Sequence, residues 1–119
     1  MRSKKQDAGA RLYSVRTRGA WSIVNVTQEI DWQTDTKWVQ QVVKDVCTTD
    51  RRNVALVLDK ESHLHSKIVA LLVACSRIVK EQGGLFGLLE PGAQVRNTLT
   101  VMKLVDRVVC VYDHESDLP

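Results

Sequence analysis

The sequence predicts an α/β fold: a mixed, mostly parallel β-sheet with helices packed against it. Three observations predict it. Apolar runs of strand length alternate with helical stripes, turn-forming residues separate them, and no repeat, linker or low-complexity tract follows residue 10. Strand–helix–strand alternation implies parallel neighbours joined by right-handed crossovers. A chain of 119 residues suits one domain. Residues 11–119 read as that domain and residues 1–10 as a basic, disordered tail.

Each element has its own signal. Ala20 to Val26 (AWSIVNV) is a β-rich run and reads as a strand. Tyr13 and Val15 alternate just before it, so a first hairpin strand is expected, with RTRG as the turn. From Thr34 to Cys47, Trp38, Val39, Val42, Val43 and Val46 recur at helical spacing. Thr34 or Asp35 is available as the cap, and TTDRRN breaks the helix. Residues 53–58 (NVALVL) are continuously apolar and end at Asp59, as a central strand does. The strongest helical stripe runs from Ser66 to Gln82, through Ile68, Val69, Leu71, Leu72, Cys75, Ile78 and Val79. Gly83-Gly84 follows, where a left-handed residue is wanted after a helix. LFGLL (85–89) is the next strand, Pro91-Gly92 a turn, and Ala93 to Met102 a short helix. Arg107 to Tyr112 (RVVCVY) is the last strand, and HESDLP an acidic stub that can begin a helix.

Composition excludes several classes. Apolar residues are 44% and charged residues 26%, which rules out collagen-like, disordered and disulfide-scaffold chains. No apolar run approaches the ~20 residues that span a bilayer, so no integral membrane contact is expected. The N-terminus (MRSKKQDAGARLYS) is basic with no apolar stretch behind it, unlike a secretory signal, and a cytoplasmic location is the default. The net charge of +3 is unevenly placed. Residues 1–18 hold six basic side chains against Asp7, whereas the other 101 residues hold 11 basic and 13 acidic ones. A body at −2 lacks the basic footprint that polyanions require, and no specific nucleic acid is expected. The tail reads as a solvated lead-in, with weak, salt-sensitive contacts to phosphates or anionic lipid as the alternative.

Cys47, Cys75 and Cys110 stand 28 and 35 residues apart, without the pairing of a zinc site or a disulfide framework. Each lies in or beside an apolar run and reads as a small core hydrophobe. No Gly-rich phosphate loop, Ser–His–Asp spacing or cofactor fingerprint is present, so neither enzymatic activity nor a cofactor is expected.

The stretch VTQEIDWQTDTKWVQQVVKDV resembles the opening of STAS domains, the anti-sigma-factor antagonist family, in which a strand is followed by G-E-[IL]-D and a helix. Gln28-Glu29-Ile30-Asp31 stands in that place, with Gln28 for the usual glycine. NVALVLD (53–59) resembles the family's central strand, and KEQGGLFGLLEPGAQVRNTLTVMKLVDRVVCVYD its second half. The resemblance covers residues 11 to 118.

In the family, a D-S-[ST]-G loop joins the central strand to the next helix, and its second hydroxyl residue is phosphorylated by a partner kinase. That motif falls here on His65-Ser66-Lys67-Ile68, which puts Lys67 at the phosphoacceptor. The connection from Asp59 is about two residues shorter than usual, and a slip of one would make Ser66 the acceptor. Phosphate at a helix N-terminus is favoured by free N–H groups and the helix dipole, and its charge can abolish docking. Lys67 cannot accept one. It reads as a drifted exposed position, a partner-contacting charge or an anion ligand.

Ser66 reads as an N-cap or a phosphoacceptor, and Ser62 is the other candidate for modification. His63 and His65 read as loop histidines on a binding face, with a metal pair as the alternative, and no metal is expected. Glu29 and Asp31 either assist contacts with a kinase partner or begin the helix. Trp32 is an interface anchor or half-buried packing, and Trp38 is read as core.

The resemblance implies a non-enzymatic protein-interaction module. Its partner would be an anti-sigma factor of the serine-kinase type or a signalling-complex protein, bound through residues 62–72 and the edge near 28–33. Switching by phosphorylation at the usual position is not expected. The alternative is a structural subunit of a multi-protein signalling scaffold, and a homodimer stays open.

Overall fold

Five strands lie across one sheet in chain order. The computed structural model describes residues 12–28, 30, 33, 35–59 and 66–119; the expected N-terminal tail lies outside them. The elements are β1 (Tyr13–Arg18), β2 (Trp21–Val26), α1 (Lys37–Val46), β3 (Asn53–Val57), α2 (Ser66–Glu81), β4 (Phe86–Leu89), α3 (Ala93–Val101) and β5 (Cys110–Tyr112). A 3-10 turn at Glu115–Asp117 follows, which is what the acidic stub begins. β1 pairs antiparallel with β2, and β2, β3, β4 and β5 are successively parallel. The sheet is thus mixed and mostly parallel, as the alternation of elements predicts.

Two boundaries differ from the expectation, and each has a local cause. Arg18 pairs with Trp21, so the hairpin turn is Gly19-Ala20 and Arg16, Thr17 and Arg18 stay in the strand. Gly19 takes φ +57°, the positive value that two-residue hairpin turns need. The last strand is shorter than Arg107 to Tyr112. Asp106, at φ +67°, opens a turn that its N–H closes onto the Val109 carbonyl at 2.9 Å, leaving only Cys110–Tyr112 to pair with β4.

Side chains alternate between the two faces of the sheet. Val24, Val26, Val54, Leu56, Phe86 and Leu88 join Val39, Val43, Leu71, Leu72, Val95 and Leu99 from the helices in one buried cluster. All three helices therefore share one face. Ser22 points there too, and its hydroxyl donates to the Val46 carbonyl at 3.5 Å. Trp38 is half-buried against Tyr13, their rings 5.6 Å apart, so it borders the core instead of filling it.

The other face buries Trp21, Ile23, Ala55 and Leu89, with Val57, Tyr112 and Leu118 packed around them. Trp21 and Tyr112 meet edge to face at 5.9 Å. Gly87 makes that possible, because a Cβ there would stand 2.5 Å from Tyr112 Cε2. The C-terminal residues are strapped across this face. Trp21 Nε1 donates to the Pro119 carbonyl at 2.8 Å, Arg16 and Arg18 pair with Glu115, and Arg96 pairs with Asp113.

The helix ends follow from backbone hydrogen-bond supply. The N-cap of α1 is Thr36, not the expected Thr34 or Asp35, and its side chain makes no cap hydrogen bond; Asp35 Oδ1, one residue earlier, accepts the Lys37 N–H at 3.0 Å, and Thr34 lies outside the described residues. α2 ends with Gly83 N–H bonded to Lys80 O and Gly84 N–H to Val79 O, both at 3.0 Å, with Gly83 at φ +81°. Gly84 is also required sterically, since its Cβ would fall 1.9 Å from the Arg52 carbonyl oxygen. α3 closes the same way through Lys103 at φ +60°, a left-handed conformation that costs a non-glycine residue about 1 kcal/mol.

All three cysteines are free. Cys47 and Cys75 join the helix-side core, and burial pushes the Cys75 thiol up to about 12. Burial raises Cys47 as well, against the pull of the Arg52 charge. Cys110 departs from the core reading: it is half-buried, on the same face as Gly87 and Tyr112. Among the described residues, no helix is long and apolar enough to cross a membrane.

Candidate functional site

Parallel strands deliver their outgoing loops to one edge of a sheet. β2 and β3 are neighbours, and Asn25 pairs with Val57 near their carboxyl ends. The chain therefore leaves β2 at Thr27–Gln28 and β3 at Leu58–Asp59 on the same edge of the sheet. Ile30, 1% exposed, and Leu58, 6% exposed, pin the two segments into the helix-side core.

At the end of the second segment stands the first turn of α2. Ser66 is its first residue and is exposed, so it lies in the helix and not at the preceding cap position. Lys67 is half-buried, and no acidic residue occupies this turn. Ile68 is fully buried in the core. Its side chain anchors the first turn of α2 to the helix-side core.

The remaining predicted site residues, Glu29, Asp31, Trp32, Ser62, His63 and His65, lie outside the described residues. Gln28 is described and half-buried. Its Oε1 is buried and, among the described residues, has no hydrogen-bond partner. His114 sits apart from this edge in the chain, at the start of the C-terminal 3-10 turn, where its N–H donates to Asp117 Oδ2 at 3.2 Å. Among the described residues, no group of three or more His, Cys, Asp or Glu side chains is placed to hold a metal ion.

A profile of the STAS domain matches residues 13–118. The chain belongs to the STAS domain family. The mixed, mostly parallel five-stranded sheet with three helices matches the fold of solved STAS structures. A Thermotoga maritima protein superimposes with a TM-score of 0.72 at 21% identity, over 88% of this chain and 89% of that one. An anti-sigma-factor antagonist (STAS) domain protein from Planctomyces limnophilus gives 0.70 at 16% identity, over 88% and 92%. An anti-sigma factor antagonist from Mycobacterium paratuberculosis gives 0.68 at 23% identity, over 88% and 87%. At these identities the likeness is one of fold. A comparison with curated proteins finds no match.

Within this STAS domain, the described part of the edge has exposed Ser66 and half-buried Lys67 next to the core residues Ile30, Leu58 and Ile68. One feature elsewhere escaped sequence reasoning. Arg77 and Lys80 share a side of α2, and the fold brings Arg107 beside them around an open groove. The i, i+3 spacing of the first two was visible in the sequence, but nothing in the linear chain pointed to the third.

Proposed function

We propose that this STAS domain is a non-enzymatic, cytoplasmic interaction module that acts as an anti-sigma-factor antagonist. Its partner is an anti-sigma factor of the serine-kinase type or a signalling complex containing one. Docking uses the start of α2, with Ser66 and Lys67, and the loop residues Ser62, His63 and His65. Glu29, Asp31 and Trp32, from the neighbouring segment, complete the surface. Binding shifts which partner the anti-sigma factor holds, by an amount set by its differential affinity.

The observation that carries this reading is the first turn of α2, where Lys67, which the family resemblance sets at the phosphoacceptor position, directly precedes the buried Ile68. A lysine there cannot be phosphorylated, which supports a version of the module that stays competent to bind when its partner holds ATP. The family's descriptions as anti-sigma-factor antagonists in Planctomyces limnophilus and Mycobacterium paratuberculosis support the choice of partner.

The test is affinity capture of the chain from its source lysate, with mass spectrometry of the bound proteins and of peptides spanning residues 60–77. The expected result is a co-purifying serine-kinase-type protein with no phosphate on Ser62 or Ser66. Stoichiometric phosphate on Ser66 overturns the unswitched reading. Recovery of only copies of the chain or structural subunits overturns the partner, in favour of a scaffold role.

A further inference from the structure

The groove between the C-terminal half of α2 and the turn before β5 lies away from the start of α2, at the helix's other end. Val73, Ser76, Arg77, Lys80, Arg107 and Val108 line an open volume of about 370 Å³. A smaller hollow of about 110 Å³ shares Lys80, Arg107 and Val108 with it and continues over Phe86 to Leu85, which is 48% exposed. The two form one surface with an apolar floor and a rim in which Arg77, Lys80 and Arg107 outnumber Glu81 and Asp106.

The rim cations are unspent. None of Arg77, Lys80 and Arg107 is ion-paired in the described structure, whereas Arg16, Arg18 and Arg96 all hold carboxylates. Lys80 has a local role, as a cation in the last turn of α2 that complements the helix dipole. That role does not account for Arg77 or Arg107. The chain's own acidic C-terminus is not the missing partner: Asp113 is held by Arg96, Glu115 by Arg16 and Arg18, and Asp117 by the His114 N–H.

We infer that this groove is a second docking surface, which takes an acidic peptide segment of a partner protein carrying an apolar anchor side chain. The anchor fills the floor between Val73, Val108 and Phe86, and the flanking carboxylates meet Arg77, Lys80 and Arg107. Charge complementarity at the rim sets specificity and association rate, and the desolvated anchor supplies most of the affinity. A nucleic acid fits less well, because Glu81 in the wall and Asp106 in the continuation oppose a uniform polyanion, and an apolar floor is idle beneath one.

The experiment pans a displayed library of random twelve-residue peptides on the full chain and measures the recovered peptides by titration. Expected are peptides with Asp or Glu on both sides of one aromatic or aliphatic residue. Their affinity falls about tenfold or more in Arg77→Glu and Arg107→Glu and weakens as salt rises, and Lys44→Glu on α1 leaves it unchanged. Amide shifts on binding cluster at Val73, Ser76 and Val108. If a charge-reversed variant unfolds, Arg77→Gln and Arg107→Gln give the same test with a smaller loss. The inference is overturned if no peptide is recovered, if the recovered peptides are not acidic, or if their shifts fall outside the groove. It is also overturned if a twelve-nucleotide single-stranded DNA binds the groove as tightly.

Discussion

Against one face of the sheet lie α1, α2 and α3, whose apolar stripes interdigitate with Val24, Leu56 and Leu88. Against the other lie Tyr112, Leu118 and the residues that Arg16, Arg18, Arg96 and Trp21 hold in place. Both faces are dry at their centres: Leu56 and Ile23 are each fully buried. The means differ. The helix face is stabilised by area and close packing. The other depends on small residues, Ala55 and Gly87, that let two aromatic rings meet, and on ion pairs that fix a short strap. Regular burial tolerates no loss of volume, and strapped burial tolerates no gain of it.

The largest expected effect is on the helix face. Leu72→Ala removes a side chain that is 1% exposed and lowers stability by about 3–4 kcal/mol, read by urea unfolding. A loss below about 1 kcal/mol would mean that this face packs loosely and would erase the contrast.

On the opposite face, the informative change adds an atom. Gly87→Ala places a Cβ 2.5 Å from the Tyr112 ring and costs about 2 kcal/mol, with loss of the near-ultraviolet dichroism of the Trp21–Tyr112 pair. Unchanged dichroism would show that the ring pair does not depend on the glycine.

Alkali acts on the helix face through Cys75. Its folded thiol titrates at about 12, above the unfolded value of about 8.5, so the unfolded chain releases its proton first as pH rises. The stabilisation is complete below the unfolded value and is lost as pH climbs toward 12. Between pH 9 and 10.5 this removes about 2 kcal/mol, and Cys75→Ala flattens that part of the profile. Tyr112, raised chiefly by burial, adds a similar trend from the other face at higher pH. An alkaline limb as steep in Cys75→Ala as in the parent would exclude the thiol as its cause.

The smallest effect belongs to the strap. The hydrogen bond from Arg16 lowers the Glu115 carboxyl below its usual range, so its contribution is present above the ordinary glutamate value and fades as pH falls through the depressed one. Glu115→Gln lowers the melting temperature slightly at pH 7, and 1 M salt abolishes the difference. A difference that persists in 1 M salt would point to packing and not charge.

The same contrast explains what was legible in the sequence. The stripes of α1 and α2 announced the helix face, and the run NVALVL announced β3, because periodic burial leaves a periodic pattern. The strap left none. HESDLP carries no apolar period, and its role depends on Arg16, 99 residues from Glu115. The short β5 was illegible for a related reason: Asp106 adopts a positive φ that its residue type permits but does not demand. At the site, the order of elements placed residues near 28 and 66 on one edge, and the altered loop was readable residue by residue. The burial of Ile68 and of the Gln28 side-chain oxygen depends on packing in three dimensions, and so does the meeting of Arg107 with Arg77.

The central claim is that the start of α2 docks an anti-sigma factor and that Lys67 keeps this docking independent of phosphorylation. The most direct measurement is calorimetric titration of the chain with a serine-kinase-type anti-sigma factor from its own source, with and without ATP, for the parent, Lys67→Ser and Lys67→Glu. The account predicts binding by the parent that ATP does not abolish, ATP-dependent release of Lys67→Ser, and weak binding by Lys67→Glu under both conditions. Release of the parent by ATP, with phosphate on Ser66, would contradict it, as would equal binding by all three chains.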